Sequence, residues 1–142
     1  GEDLDASCKV RTVLPTRTFL EKIFLLAEEF QKEKPRSMRM SRHLYDLEKL
    51  MDTQYGHEAL SDITLYNSIV EHRRAYYALK HVNYDLHNPK KINFIIPKKE
   101  MKAWSDDYTR MRNSFFFGKS LEFEELMQRM KELQKRVRAL SD

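Results

Sequence analysis

Only three glycines and four prolines interrupt the 142 residues. Breakers this sparse favour long helices over the many tight turns that a sheet protein needs. They also divide the chain. Pro35, Gly56, the proline-flanked stretch YDLHNPKKINFIIPKK and Gly118 separate segments whose apolar residues recur three and four positions apart.

The spacing predicts a first helix over 19–33, with Phe19, Ile23, Leu26 and Phe30 on one face and Leu20 and Phe24 widening it. Thr18 followed by Glu21 has the form of a capping box at its start. A second helix over 37–53 carries Met40, Leu44, Leu47 and Met51, and Gly56 reads as its stop. A third begins near Ser61-Asp62 and carries Ile63, Tyr66, Ile69, Val70 and Tyr77. A fourth runs over about 100–116, and a fifth places Phe123, Leu126, Met130, Leu133, Val137 and Leu140 on one stripe, with Glu125–Arg129 and Glu132–Arg136 as supporting i,i+4 pairs. VRTVLP (10–15) reads as a short strand stopped by Pro15, and 92–96 as one short β-like segment. The expected fold is mainly α: one domain over 1–142, about five helices in a bundle with minor strand content. No internal repeat or low-complexity tract is found.

Hydrophobic residues at 41% and charged residues at 34% suit a soluble globular domain. No apolar run approaches the roughly 18–20 residues that span a bilayer. Cys8 is the only cysteine, which excludes an internal disulfide and points to a reducing cytoplasm. The chain opens on Gly1 rather than Met, as a processed fragment would. The net charge of +4 is clustered: residues 31–43, 90–102 and 129–138 each hold five Lys/Arg against one Glu. Such clusters suit a phosphate-bearing partner, although each taken alone reads more readily as a solvated helix face.

No GxxxxGK phosphate loop, GxSxG or HExxH is present. The five histidines lack metal-ligand spacing. Asp3-Leu4-Asp5 has the spacing of a two-metal carboxylate pair, but only Gly1-Glu2 precede it, so it reads as a solvated acidic terminus. Two constellations remain. In RTFLEK (17–22), Glu21 fits the capping acid and Lys22 sits at the edge of the apolar face, where a lysine can snorkel. In RMSRHLYDL (39–47), Arg39, His43 and Asp46 form an i, i+4, i+7 stripe, with Arg42 one turn before Asp46. An Arg42–Asp46 surface pair is the plain reading. A carboxylate ringed by three potential cations is also a way to hold a phosphate, which makes Arg39, Arg42 and His43 candidate nucleotide- or nucleic-acid-binding residues.

RTFLEK followed by RHLYDL across a basic linker resembles the C-terminal half of the AbiEii/AbiGii-type nucleotidyltransferase toxins of type IV toxin–antitoxin and phage-abortive systems. VEHRRAYY (70–77), DDYTRM (106–111) and FFFGKSLEFEELMQRM have the look of the same family, so the resemblance covers most of the chain. It implies a larger α/β nucleotidyltransferase whose N-terminal half, with a Gly/Ser loop and a D-x-D pair binding Mg2+ and NTP, is absent from these residues. It further implies that Lys22 contacts nucleotide phosphate and that Asp46 is catalytic or orders the site. The chain alone is then expected to be inactive and to bind no cofactor. Its expected partners are the missing half, an RNA acceptor such as tRNA, an antitoxin, or a second copy through the broad apolar face of the first helix. Two rival readings stand beside this one. One is a HEPN-like ribonuclease, for which Arg74 and His81 give a loose Arg-x6-His. The other is a helical interaction module without enzymatic activity.

Overall fold

The computed structural model describes residues 15–114 and 120–140. Among them lie six α-helices: α1 (Pro15–Glu29), α2 (Ser41–Met51), α3 (Gln54–Ala59), α4 (Ile63–Tyr76), α5 (Met101–Ser114) and α6 (Phe123–Arg138). Two 3-10 turns, Tyr84–His87 and Lys98–Glu100, lead from α4 to α5. The chain is mainly α, and no strand occurs among the described residues. The strand expected over 10–15 lies outside them except for Pro15, which is helical.

α1 is the central helix and packs against α2, α3 and α4. Phe19, Leu20, Ile23, Phe24 and Leu26 are all fully buried. The helix therefore spends its wide apolar surface inside the domain, and Leu20 and Phe24 are not left over for a second copy, contrary to expectation. The helix already includes Pro15, whose missing N–H costs nothing in a first turn. Thr18 consequently lies inside it, and the capping box does not form: Glu21 pairs with Arg17 and Arg73 instead.

Gly56 is not a stop. It lies inside α3, where a Cβ would stand 2.4 Å from the Leu50 carbonyl oxygen and 2.6 Å from that of Met51. Only glycine lets α3 come so close to the end of α2. Asp62 caps α4 by accepting the Leu65 N–H at 2.9 Å. Tyr77, expected on the buried stripe of that helix, follows its end and is exposed.

The segment 92–96 has the alternation of a strand without a neighbouring strand. Ile92, Phe94 and Ile96 are buried, and the backbone finds partners on α6: Phe94 N–H donates to the Gln134 side chain at 2.9 Å, and Arg138 donates twice to the Ile92 carbonyl. Side chains thus supply what a ladder would have supplied. On α6 the Glu132–Arg136 pair forms at 2.7 Å, but Arg129 turns to Asp52, Glu48 and Glu132 rather than to Glu125. Arg129 and Arg136 together hold Asp52 at the end of α2, so two of the five cations in that basic cluster are internally paired.

Candidate functional site

Lys22 and Asp46 meet across the α1–α2 contact. The ammonium lies 3.1 Å from Asp46 Oδ2 and 3.4 Å from His43 Nδ1. Their side chains are 21% and 33% exposed, so the pair is covered on one side and wet on the other. The local sequence explains the geometry. Lys22 precedes the buried Ile23 and sits at the margin of the buried face of α1, while Asp46 precedes the buried Leu47 at the margin of the buried face of α2. Where two such faces pack, their margins are brought together.

A neutral imidazole can accept from Lys22 through Nδ1, which places the ring proton on Nε2. Burial pushes the His43 pKa down, and Lys22 adds to this, with Asp46 opposing and Arg42 and Arg36 reinforcing. His43 is therefore held in the neutral form that the contact requires. An ammonium has three donors; Asp46 and His43 use two, and the third has no partner among the described residues.

The start of α2 is fixed from outside it. Met40, at the N-cap position, offers no side-chain cap. The carboxylate of Asp107 on α5 takes that place, accepting Arg39 N–H at 2.8 Å, Ser41 N–H at 3.1 Å and the Ser41 hydroxyl at 2.5 Å. Arg39 reaches it with φ at 61°, a left-handed conformation uncommon for a residue with a side chain. Arg39 thus lies outside the helix, and the expected Arg39–His43–Asp46 stripe begins only at His43. Arg39 and Arg42 are exposed, and neither forms an ion pair among the described residues. The Arg42–Asp46 pair does not form; Lys22 has taken its carboxylate. Arg36, noted only as part of a charge cluster, turns its guanidinium toward Met40 Sδ at 3.3 Å and adds positive charge near His43. The structure thus groups Lys22, Asp46 and His43 in contact, with Arg36 and Arg42 close enough to act on His43 electrostatically.

A metal ion does not fit here. Asp46 Oδ2 is engaged by an ammonium, and no group of three His, Cys, Asp or Glu side chains among the described residues could hold one. Asp3 and Asp5 lie outside the described residues. Nor does the Arg74/His81 spacing build a nuclease pair: Arg74 is drawn to Asp85 at 3.2 Å and Glu71 at 3.7 Å, and His81 stands beyond the end of α4. No helix is long and apolar enough to cross a membrane, among the described residues.

A second charged cluster lies on the other flank of α1. Arg73 of α4 makes a bidentate contact with Glu28, at 2.6 and 2.7 Å, and a further bond to Glu21. His87 donates from Nε2 to Glu28 at 3.0 Å, its ring stacked on Phe24. Sequence reading assigned no role to Glu28, Arg73, His87 or Asp107. A signal for three of them was present: Glu28 stands four after Phe24, Arg73 four after Ile69, and Asp107 three after Trp104, each on a buried stripe. A charge at such a position is buried with a partner or not at all.

No curated protein and no solved structure matches the chain. The family model described as the nucleotidyl transferase AbiEii toxin of type IV toxin–antitoxin systems matches residues 1–129, which include α1 with Lys22, α2 with Asp46 and Asp107 on α5. The chain belongs to the AbiEii nucleotidyl transferase toxin family.

Proposed function

We propose that this chain forms the helical wall of a nucleotidyl-transfer cleft, in which Lys22 binds nucleotide phosphate and Asp46 fixes the lysine. The observation that carries this reading is the partly exposed Lys22–Asp46 contact, with Arg42 exposed nearby and unpaired among the described residues. In transfer to phosphorus the protein does little covalent work. It positions the reactants and stabilises charge on the phosphate oxygens. The third Lys22 donor, without a partner among the described residues, meets such an oxygen. Asp46 and neutral His43 hold the ammonium against α2 so that it need not be ordered when the nucleotide arrives. Arg39 and Arg42 add positive charge for the triphosphate or for an acceptor backbone.

The residues described here do not fit Mg2+. In this reading the metal and most of the NTP belong to a nucleotidyltransferase half outside these 142 residues, with a nucleic acid such as tRNA as acceptor. Membership of a toxin–antitoxin family implies an antitoxin counterpart, and a toxin drawing on NTP would act in the cytoplasm.

The test is incorporation of labelled NTP by the intact protein in the presence of Mg2+ and bulk tRNA. Lys22→Ala and Asp46→Ala should each lower incorporation by about 100-fold or more, the usual size of a lost transition-state donor. Both should relieve growth inhibition. Stability should change by no more than about 1 kcal/mol, because a partly exposed ion pair contributes little. The 142-residue chain alone should give no incorporation above background. Clear incorporation by the isolated chain, or full activity of the intact Lys22→Ala protein, would overturn the reading.

A further inference from the structure

Tyr66, Tyr84 and Tyr108 are buried in the usual manner, with the ring inside and the hydroxyl on a partner. Tyr66 donates to the His87 carbonyl at 2.5 Å and Tyr108 to the Leu121 carbonyl at 2.6 Å. Tyr76 and Tyr77 do the reverse, with 78% and 50% of their surface in water. Tyr76 is the last residue of α4 and Tyr77 follows it, and each ring rests against a side chain of the preceding turn. The His72 imidazole stacks on Tyr76 at 4.6 Å with an interplanar angle of 29°, and the Arg73 guanidinium lies 4.8 Å from the Tyr77 centroid. Arg73 is itself clamped by Glu21 and Glu28, so this support is rigid.

The chain beyond them is also fixed. Ala78 takes φ at 42°, ending the helix, and Leu79 N–H donates to the Tyr84 hydroxyl at 3.0 Å. That turn presents Lys80 and His81 to solvent beside the rings. No acidic residue occurs between Glu71 and Asp85, and both of those pair with Arg74. The surface therefore combines two held, largely exposed aromatic rings with one cationic side chain, Lys80, and the imidazole of His81, while the nearest carboxylates in the chain, Glu71 and Asp85, are paired with Arg74.

We propose that His72, Tyr76, Tyr77, Lys80 and His81 form a binding surface for single-stranded nucleic acid. Unpaired bases stack on the two tyrosine rings while Lys80 and His81 meet the backbone phosphates. Stacking needs a flat ring with an open face and is tolerant of sequence, while Lys80 supplies positive charge and the His81 ring a hydrogen-bond donor for the phosphates. A duplex, whose bases are already stacked, has no face to offer. This inference deepens the transfer reading by giving its nucleic-acid acceptor a binding surface and requiring that acceptor to be single-stranded there. It rests on that reading only for the step from binding to transfer.

Binding is measured by fluorescence anisotropy of a labelled, unstructured single-stranded RNA titrated with the 142-residue chain. Tyr76→Ala and Tyr77→Ala should each weaken binding by roughly tenfold. Tyr76→Phe, which keeps the ring, should stay within about twofold, as should the exposed uncharged variant Thr109→Ala on α5. The duplex of the same sequence should bind more weakly. In the intact protein the two alanine variants should raise the KM for the acceptor and leave that for NTP unchanged. Melting curves verify that the exposed substitutions leave the fold intact. Wild-type affinity in both alanine variants, equal affinity for the duplex, or no RNA binding at all would overturn the proposal. So would a change in sedimenting mass in Tyr76→Ala with RNA affinity unchanged, which would mark a protein interface. Anisotropy does not depend on transfer, so failure of the Lys22 experiment and failure of this one are separable.

Discussion

The two flanks of α1 carry the same kind of group and treat it in opposite ways. On one side, Glu21 and Glu28 close around Arg73, whose side chain is only 8% exposed. On the other, Lys22 holds Asp46 in a pair that water still reaches. The carboxylate of the first cluster is saturated, since both Glu28 oxygens are used, and only the His87 Nδ1 there lacks a partner among the described residues. The second keeps, among the described residues, a third donor on Lys22 without a partner and an unpaired Arg42 close by. Burial raises the cost of any unmatched charge, so a closed cluster must complete itself within the chain. An open cluster can stay incomplete and leave room for a ligand. One helix thus separates a cluster that secures the fold from one available for function.

The largest effect should come from opening the closed side. Arg73→Met leaves Glu28 buried without its guanidinium and should cost about 3–5 kcal/mol in urea unfolding. Adding Glu28→Leu should return much of that loss, because the uncompensated charge goes with it. A loss below about 1 kcal/mol for Arg73→Met would make the two flanks equivalent and break the contrast. The closed cluster also has a pH signature. Burial pushes the Glu28 carboxyl up, but Arg73 and His87 outweigh it and hold the group below its ordinary value of 4.5. A depressed carboxylate stabilises the fold above that ordinary value. The contribution is lost as pH falls through the folded-state value, so wild type should lose stability in acid and the double variant should lose less.

Next in size is Asp107→Ala. It removes the acceptor for two backbone N–H groups and a hydroxyl at the start of α2 and should cost about 2–3 kcal/mol. Unlike Arg73→Met, it should also disturb the open site, because Arg39 and the first turn of α2 lose their anchor. Restoration by Asp107→Glu would be incomplete, since the longer side chain displaces the carboxylate. Denaturant midpoints together with the transfer assay separate these outcomes. A stability loss without any fall in transfer would show that α2 is held well enough by Leu44, Leu47 and Met51 alone.

Much of this fold was legible in advance because it depends on periodicity. The apolar stripes of α2, α4 and α6 follow from three- and four-residue spacing, and Met40, Leu44, Leu47 and Met51 are buried as that spacing requires. The convergence of RTFLEK and RHLYDL was legible only as a family resemblance; the contact between Lys22 and Asp46 depends on how two helices pack, which no local pattern specifies. The misreadings share a cause. Thr18–Glu21, Gly56 and 92–96 were each assigned from the local signal: a cap, a stop and a strand. In each case a distant group decided the outcome: Arg73 for Glu21, the end of α2 for Gly56, and Gln134 and Arg138 for the extended segment. Asp107 shows the same dependence, since a cap supplied from 66 positions away has no signature within RMSRHL.

The smallest effect is the most local one, the titration of His43. Its pKa lies below the ordinary 6.5 because burial and Lys22 disfavour the imidazolium, with Asp46 acting the other way. As pH falls past 6.5 the unfolded chain takes up the proton first. The contribution of His43 to stability is therefore complete above that value and declines as pH drops toward the folded-state pKa. Ring resonances followed by NMR should show Lys22→Met moving the His43 pKa up and Asp46→Asn moving it further down. Opposite shifts from two substitutions in one ion pair are a demanding outcome. General loosening of the α1–α2 contact would relieve burial in both variants and raise the pKa in each. Movement in the same direction would therefore mean that the open flank is held by packing alone, and that Lys22 and Asp46 do not act on His43 as charges.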